Sequence, residues 1–126
     1  MPSANTESTP LDLELEFFEG RYATLGDYTV GFETHKQAYD PAGLFAGLPD
    51  DRCQCPHWGV VTAGSITFRF ADRLETYRAG DAYFVPAGHL PLLVAGSSVI
   101  EFSPTAELER TMAVVGANLE AVLAES

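Results

Sequence analysis

Basic charge is scarce in this chain. Seven Lys and Arg residues stand against 18 Asp and Glu, a formal net charge of −11 over 126 residues. Nucleic-acid binding needs a basic face for phosphates, so that class is excluded. Docking on anionic lipid is excluded for the same reason. Long apolar runs are missing too, since none approaches the ~18–20 residues that span a bilayer. Met1 to Pro10 is small and polar, without the basic-then-apolar order of a signal peptide. A cytoplasmic location is expected. Glycines never cluster before a helix, which removes a phosphate-cradling loop. There is no Gly-x-Ser-x-Gly nucleophile elbow, and nothing points to a nucleotide cofactor. Cysteine occurs only at Cys53 and Cys55. A disulfide between them would close a tiny strained ring. The pair therefore reads as reduced and available to a metal.

Hydrophobic residues are abundant, at 46% with 11% aromatic, which excludes a disordered chain. The length suits one domain with one core. Residues 1–10 read as a flexible tail and 11–126 as a single domain. Leu11, Leu13, Leu15 and Phe17 alternate with acidic residues, the period-2 pattern of a half-buried strand. Tyr22 to Leu25 and Tyr28 to Thr34 flank Gly26-Asp27, a hairpin turn. A loop over 39–51 follows, pinned to the core at Leu44-Phe45. Further strands are expected at 60–62, 65–70, 74–78, 82–85, 90–94 and 99–102, separated by Gly and Asp turns. Phe68, Phe70 and Phe84 are core by this pattern. Beyond Ser103-Pro104 the period changes. Leu108, Met112, Val115, Leu119 and Val122 recur at helical spacing, one apolar stripe over about 104–124. Gly116 costs that helix roughly 1 kcal/mol against alanine, which packing must offset. The expected fold is all-β, a closed barrel or sandwich over about 11–102, with one C-terminal helix.

Asp51 to Phe102 resembles the cupin superfamily. The second cupin motif is a glycine, five residues, then Pro-x-Gly and a nearby histidine. It stands here as Gly80, 81–85, Pro86-Ala87-Gly88, with His89 following. The first motif ends in a metal-ligand position seven residues before a glycine. Counting back from Gly64 reaches His57, where the family usually has glutamate. The opening His-x-His positions fall at Asp51 and Cys53 in the preferred register, or at Cys53 and Cys55 in the other. The metal histidine of the second motif falls at Pro91, and His89 stands two residues early, on the same face of an extended strand. The string is similar to a subgroup of small, mostly uncharacterised bacterial cupins reading Cys-Gln-x-Pro-His and Pro-x-Gly-His. The resemblance implies a double-stranded β-helix barrel, jelly-roll-like, with a small-molecule cavity. It also implies pairing of barrels into a homodimer.

Cys53, Cys55 and His57 alternate, and alternate residues of a strand share a face. With His89 they form the candidate metal set. Thiolate and imidazole suit Zn²⁺ and disfavour Mg²⁺ or Ca²⁺. Iron, nickel, manganese and copper are the alternatives, and a metal-free barrel that binds a small ligand is the competing reading. Three protein ligands and an open position would give a metal-dependent enzyme of isomerase, lyase, cyclase or oxygenase type. Whether the chain is an enzyme at all stays open at this point. Asp51, Arg52, Arg69 and Tyr83 are weaker substrate-binding candidates, the arginines as clamps for a carboxylate. His35 reads as a hydrogen-bonded structural histidine. Trp58 reads as packing outside the barrel or at a dimer interface.

Overall fold

The computed structural model describes residues 2–124. The strands are β1 Leu11–Glu14, β2 Phe18–Leu25, β3 Tyr28–His35, β4 His57–Ala63, β5 Ser65–Arg69, β6 Leu74–Arg78, β7 Ala82–Val85, β8 Leu90–Leu92 and β9 Ser97–Pro104. The helix α1 spans Thr105–Ala124. Every pairing between these strands is antiparallel. A six-stranded sheet runs β1-β2-β3-β9-β4-β7, and a three-stranded sheet runs β6-β5-β8. The two sheets close a jelly-roll barrel. Pro91 lies on β8 at the edge of the smaller sheet, where a missing N–H is tolerated.

The alternation read from sequence carries over to most strands. Val61, Ile66, Phe68, Phe70, Tyr83, Val85 and Val99 form the buried cluster between the sheets. Phe84 is a correction. It alternates with Tyr83 and Val85, so burying those two turns it outward, and it is 50% exposed. A second cluster joins Leu44, Phe45, Cys53, Cys55, Leu90 and Val115. The segment Ala42–Phe45 is a short 3-10 helix, and its Leu44 and Phe45 do pin the loop. Two hydrogen bonds of 2.8 Å, from Asn118 Nδ2 to the Leu44 and Ala46 carbonyls, fasten α1 to it. The start of α1 is held by Thr105 Oγ1 against Thr29 Oγ1 at 2.8 Å.

The helix stripe is only partly as expected. Thr111 and Val115 are the buried residues, with Leu108 and Leu119 packed beside them. Met112 and Val122 are 38% and 46% exposed. The buried face is rotated toward Thr111, with Val115, Leu108 and Leu119 packed in the cluster of Leu44 and Phe45. Ahead of β1, residues 5–9 make a turn. Asn5 Oδ1 accepts from the Glu7 and Ser8 amides, and Arg21 Nη1 donates to the Thr9 carbonyl at 2.9 Å.

Candidate metal centre and cavity

Cys53 lies outside the strands but not loosely. It pairs with His89 through an isolated bridge, with Cys53 N donating to His89 O at 2.9 Å and Gly88 N donating to Cys53 O at 2.8 Å. His57 begins β4, opposite Val85 of β7. Backbone pairing thus brings two sequence-distant motifs side by side. One nitrogen each of His57 and His89 and the Sγ of Cys53 lie within 4.8 Å of one another, all three residues buried. Cys53 Sγ is 3.7 Å from His57 Nε2.

Both imidazoles are oriented from behind. His89 Nδ1 is 2.7 Å from the Pro86 carbonyl. A carbonyl only accepts, so Nδ1 carries the proton and Nε2 keeps its lone pair. His57 Nδ1 faces Ser103 Oγ at 2.7 Å and Glu101 Oε1 at 3.4 Å, which leaves Nε2 toward Cys53. Metal-binding histidines are oriented in this way, by a partner on the other ring nitrogen. Burial holds His57 down to about 4 and His89 down to about 3. Burial favours the neutral form of both rings, so the 3.4 Å His57–Glu101 approach is not an ion pair, and the hydrogen bond at His57 Nδ1 is the one to Ser103. Burial pushes the Cys53 thiol up to about 12, and its Sγ faces the Cys55 carbonyl at 3.7 Å. The donor set fits a metal that takes a thiolate and two imidazoles, and the cluster could hold one.

Cys55 does not join it. Fully buried, it has its Sγ 3.5 Å from the Pro56 carbonyl. The chain from Gln54 to Pro56 is not a strand, so the alternation expected through Cys55 is broken before β4 begins. Asp51 is exposed, with Oδ1 accepting from the Gly47 amide at 3.0 Å. Arg52 Nη1 donates to the Arg69 carbonyl at 3.2 Å. Arg69 pairs with Asp40 at 3.4 Å. None of these three lines the cavity. His89 and Pro91 both do, in keeping with a two-residue shift on one face.

The cavity measures about 420 Å³. Its walls are mainly apolar, among them Leu13, Leu15, Phe17, Phe18, Leu44 and Phe68. Sequence reasoning missed its main polar feature. Strand register places Tyr22, Gly31, Glu101, Gly59 and Tyr83 in one row across β2, β3, β9, β4 and β7. A Cβ on Gly59 would sit 2.6 Å from the Tyr83 hydroxyl, and one on Gly31 would sit 2.8 Å from the Tyr22 ring. The glycines let each tyrosine lie flat over its neighbour strand. Tyr83 then donates to Glu101 Oε2 at 2.5 Å, and Tyr22 donates to Glu33 Oε2 at 2.6 Å. Tyr83 thus spends its hydroxyl on the Glu101 carboxyl and, like Asp51, Arg52 and Arg69, is not among the cavity-lining residues. Burial raises Glu33 and Glu101 above the ordinary carboxylate range, and for Glu33 the Glu101 charge adds to it. His35, expected to be hydrogen-bonded, is 1% exposed with Nδ1 unpartnered. Its ring stacks on Phe18 at 5.8 Å, and it lines the same cavity.

No protein-family model and no curated protein sequence matches the chain. Solved structures do. An RmlC-like cupin from Shewanella frigidimarina superposes with a TM-score of 0.56 at 15% identity, over 80% of this chain and 88% of that one. KdgF from Halomonas sp. gives 0.53 at 11% identity, over 79% and 90%. A mutant of Bacillus subtilis oxalate decarboxylase gives 0.55 at 14% identity, over 78% of this chain and 28% of that one. The fold is that of a small cupin. No helix among the described residues is long and apolar enough to cross a membrane.

Proposed function

We propose that the chain is a metal-binding cupin that acts on a small molecule in its barrel. The carrying observation is the convergence of Cys53, His57 and His89 within 4.8 Å at the cavity wall. Zinc is the ion these donors suit best, with iron, nickel, manganese and copper next. A bound ion would supply Lewis acidity or an activated water. The protein's own part is to orient both imidazoles, with the His89 Nε2 lone pair left for the ion, to exclude bulk water with apolar walls, and to keep the Glu33 and Glu101 carboxyls above the ordinary carboxylate range. Isomerase, lyase, cyclase and oxygenase chemistry are the classes open to such a centre.

Metal analysis of protein expressed with added zinc tests the reading. About one equivalent is expected in wild type and in Cys55→Ser, with loss in Cys53→Ser and His89→Ala. Less than about a tenth of an equivalent of any transition metal in wild type would overturn it. The apolar cavity supports a second reading, a non-catalytic ligand binder that works without metal. Ligand-dependent stabilisation of metal-free protein would favour that one.

A homodimer is part of the proposal. Trp58, Phe84, Phe102 and Tyr28 are 39–50% exposed. Register places Trp58 beside Phe84 and Phe102 on the outer sheet face, and the Tyr28 ring lies 5.9 Å from Trp58. Both cysteines are free thiols, which suits a reducing cytoplasm.

A further inference from the structure

The cavity carries acid without base. Glu33, Glu101 and Glu109 line it, and no Lys or Arg does among the described residues. Glu101 is crowded on both sides, with Oε2 bonded by Tyr83 and Oε1 3.4 Å from the His57 ring. Glu33 is not. Tyr22 occupies Oε2, and no hydrogen bond reaches Oε1 among the described residues. Two residues further along the same face of β3, His35 Nδ1 is buried and unpartnered. With the ring proton on Nε2, His35 Nδ1 is an acceptor, and it and Glu33 Oε1 stem from positions roughly 7 Å apart along the strand. One head group can reach both.

His35 Nδ1 is buried without a partner, which is costly, and Glu33, a cavity-lining residue, has one oxygen outside the Tyr22 bond. A ligand that satisfies both must bring hydrogen-bond donors. An anionic ligand meets three acidic side chains and no cation, whereas a cation favours the ionised form of Glu33. A sugar needs many polar partners, and the walls of Leu and Phe supply few. An ammonium group brings up to three donors and a positive charge. Its apolar substituent matches the remaining walls, and the Phe18 and Tyr22 rings stand beside its charge.

We propose that the ligand is a small, largely apolar amine, bound as its ammonium ion with N–H donors on Glu33 and His35. This rests on the reading of the cavity as a ligand site and names its substrate class. It does not require the metal.

Titration calorimetry at pH 7 tests it with n-hexylamine and 2-phenylethylamine, against 2-phenylethanol and 3-phenylpropanoate. Each is run on EDTA-treated protein and on zinc-supplemented protein of measured metal content. A failed metal reading then shows as absent metal, and a failed amine reading as absent selectivity. The amines should bind at least about tenfold more tightly than the alcohol, with no binding of the carboxylate. Glu33→Gln should weaken amine binding roughly 10- to 100-fold, the value of a charge-assisted hydrogen bond, and leave the alcohol unchanged. His35→Phe keeps the stack on Phe18, loses the acceptor, and should weaken amine binding about tenfold. Equal binding of amine and alcohol, preference for the carboxylate, or no amine binding would overturn the proposal. So would a folded Glu33→Gln that binds amines like wild type. If Glu33→Gln does not fold, His35→Phe decides by the same criterion.

Discussion

His35 shows what burial does to a single residue here. Its ring is enclosed and unpaired, and burial holds its pKa down to about 4 from 6.5. The unfolded chain therefore takes up a proton between those values and the folded chain does not. The stabilising contribution is complete above about pH 6.5 and is lost as pH falls through about 4. Each such histidine steepens the loss by up to about 1.4 kcal/mol per pH unit. His57 and His89 act in the same sense. Glu33 and Glu101, raised in the fold, act in the opposite one and favour stability at lower pH. Urea unfolding of metal-free protein between pH 4.5 and 7 should give a shallower acid limb for His35→Phe than for wild type. Parallel limbs would refute the assignment. At this scale the sequence is uneven to read. Cys53, His57 and His89 sit in a motif, so their approach is legible. Glu33 and Glu101 are not. Along Val99–Ser103 both alternating sets contain apolar residues, and the usual rule that charge faces water assigns Glu101 to the wrong side. Such reversals are expected where a site is built.

Among the elements, the strands follow the sequence because Gly and Asp mark nearly every turn, as at Gly26, with φ 64, between β2 and β3. The helix is legible in existence, length and three of its packed residues, Leu108, Val115 and Leu119, but the exact rotation of its buried face is not. Spacing alone allows both the Met112 stripe and the observed Thr111–Val115 face. Only the position of the loop that α1 covers decides between them. Gly116 was expected to be excused by packing. A Cβ there would meet nothing within 4 Å. Gly116→Ala should therefore stabilise the protein by about 1 kcal/mol, read as a higher urea midpoint with an unchanged slope. A lower midpoint would mean that the bare backbone at the cavity wall is used.

For the whole molecule, closure of the barrel explains why the acidic balance said little about the interior. The arginines near the motifs stay outside, and Arg69 pairs with the exposed Asp40. Four clustered aromatics on the outer sheet, Tyr28, Trp58, Phe84 and Phe102, depart from a solvated surface. Light scattering at micromolar concentration should report a dimer. Trp58→Glu with Phe84→Glu should give a folded monomer, because both side chains are already partly exposed. A monomeric wild type would remove the dimer.

The Tyr-Gly-Glu-Gly-Tyr row has one more consequence. It crosses five strands, and three separate pairings, β2–β3, β9–β4 and β4–β7, must hold together for both hydroxyls to reach their carboxyls. A slip of β9 by one residue would send Glu101 to solvent and bring Phe102 inside. Tyr83 would then lie over glycine with nothing to bond. The row thus works as a gauge of alignment. It can close in only one setting of the sheet, and that setting is also the one that brings His57 to Ser103.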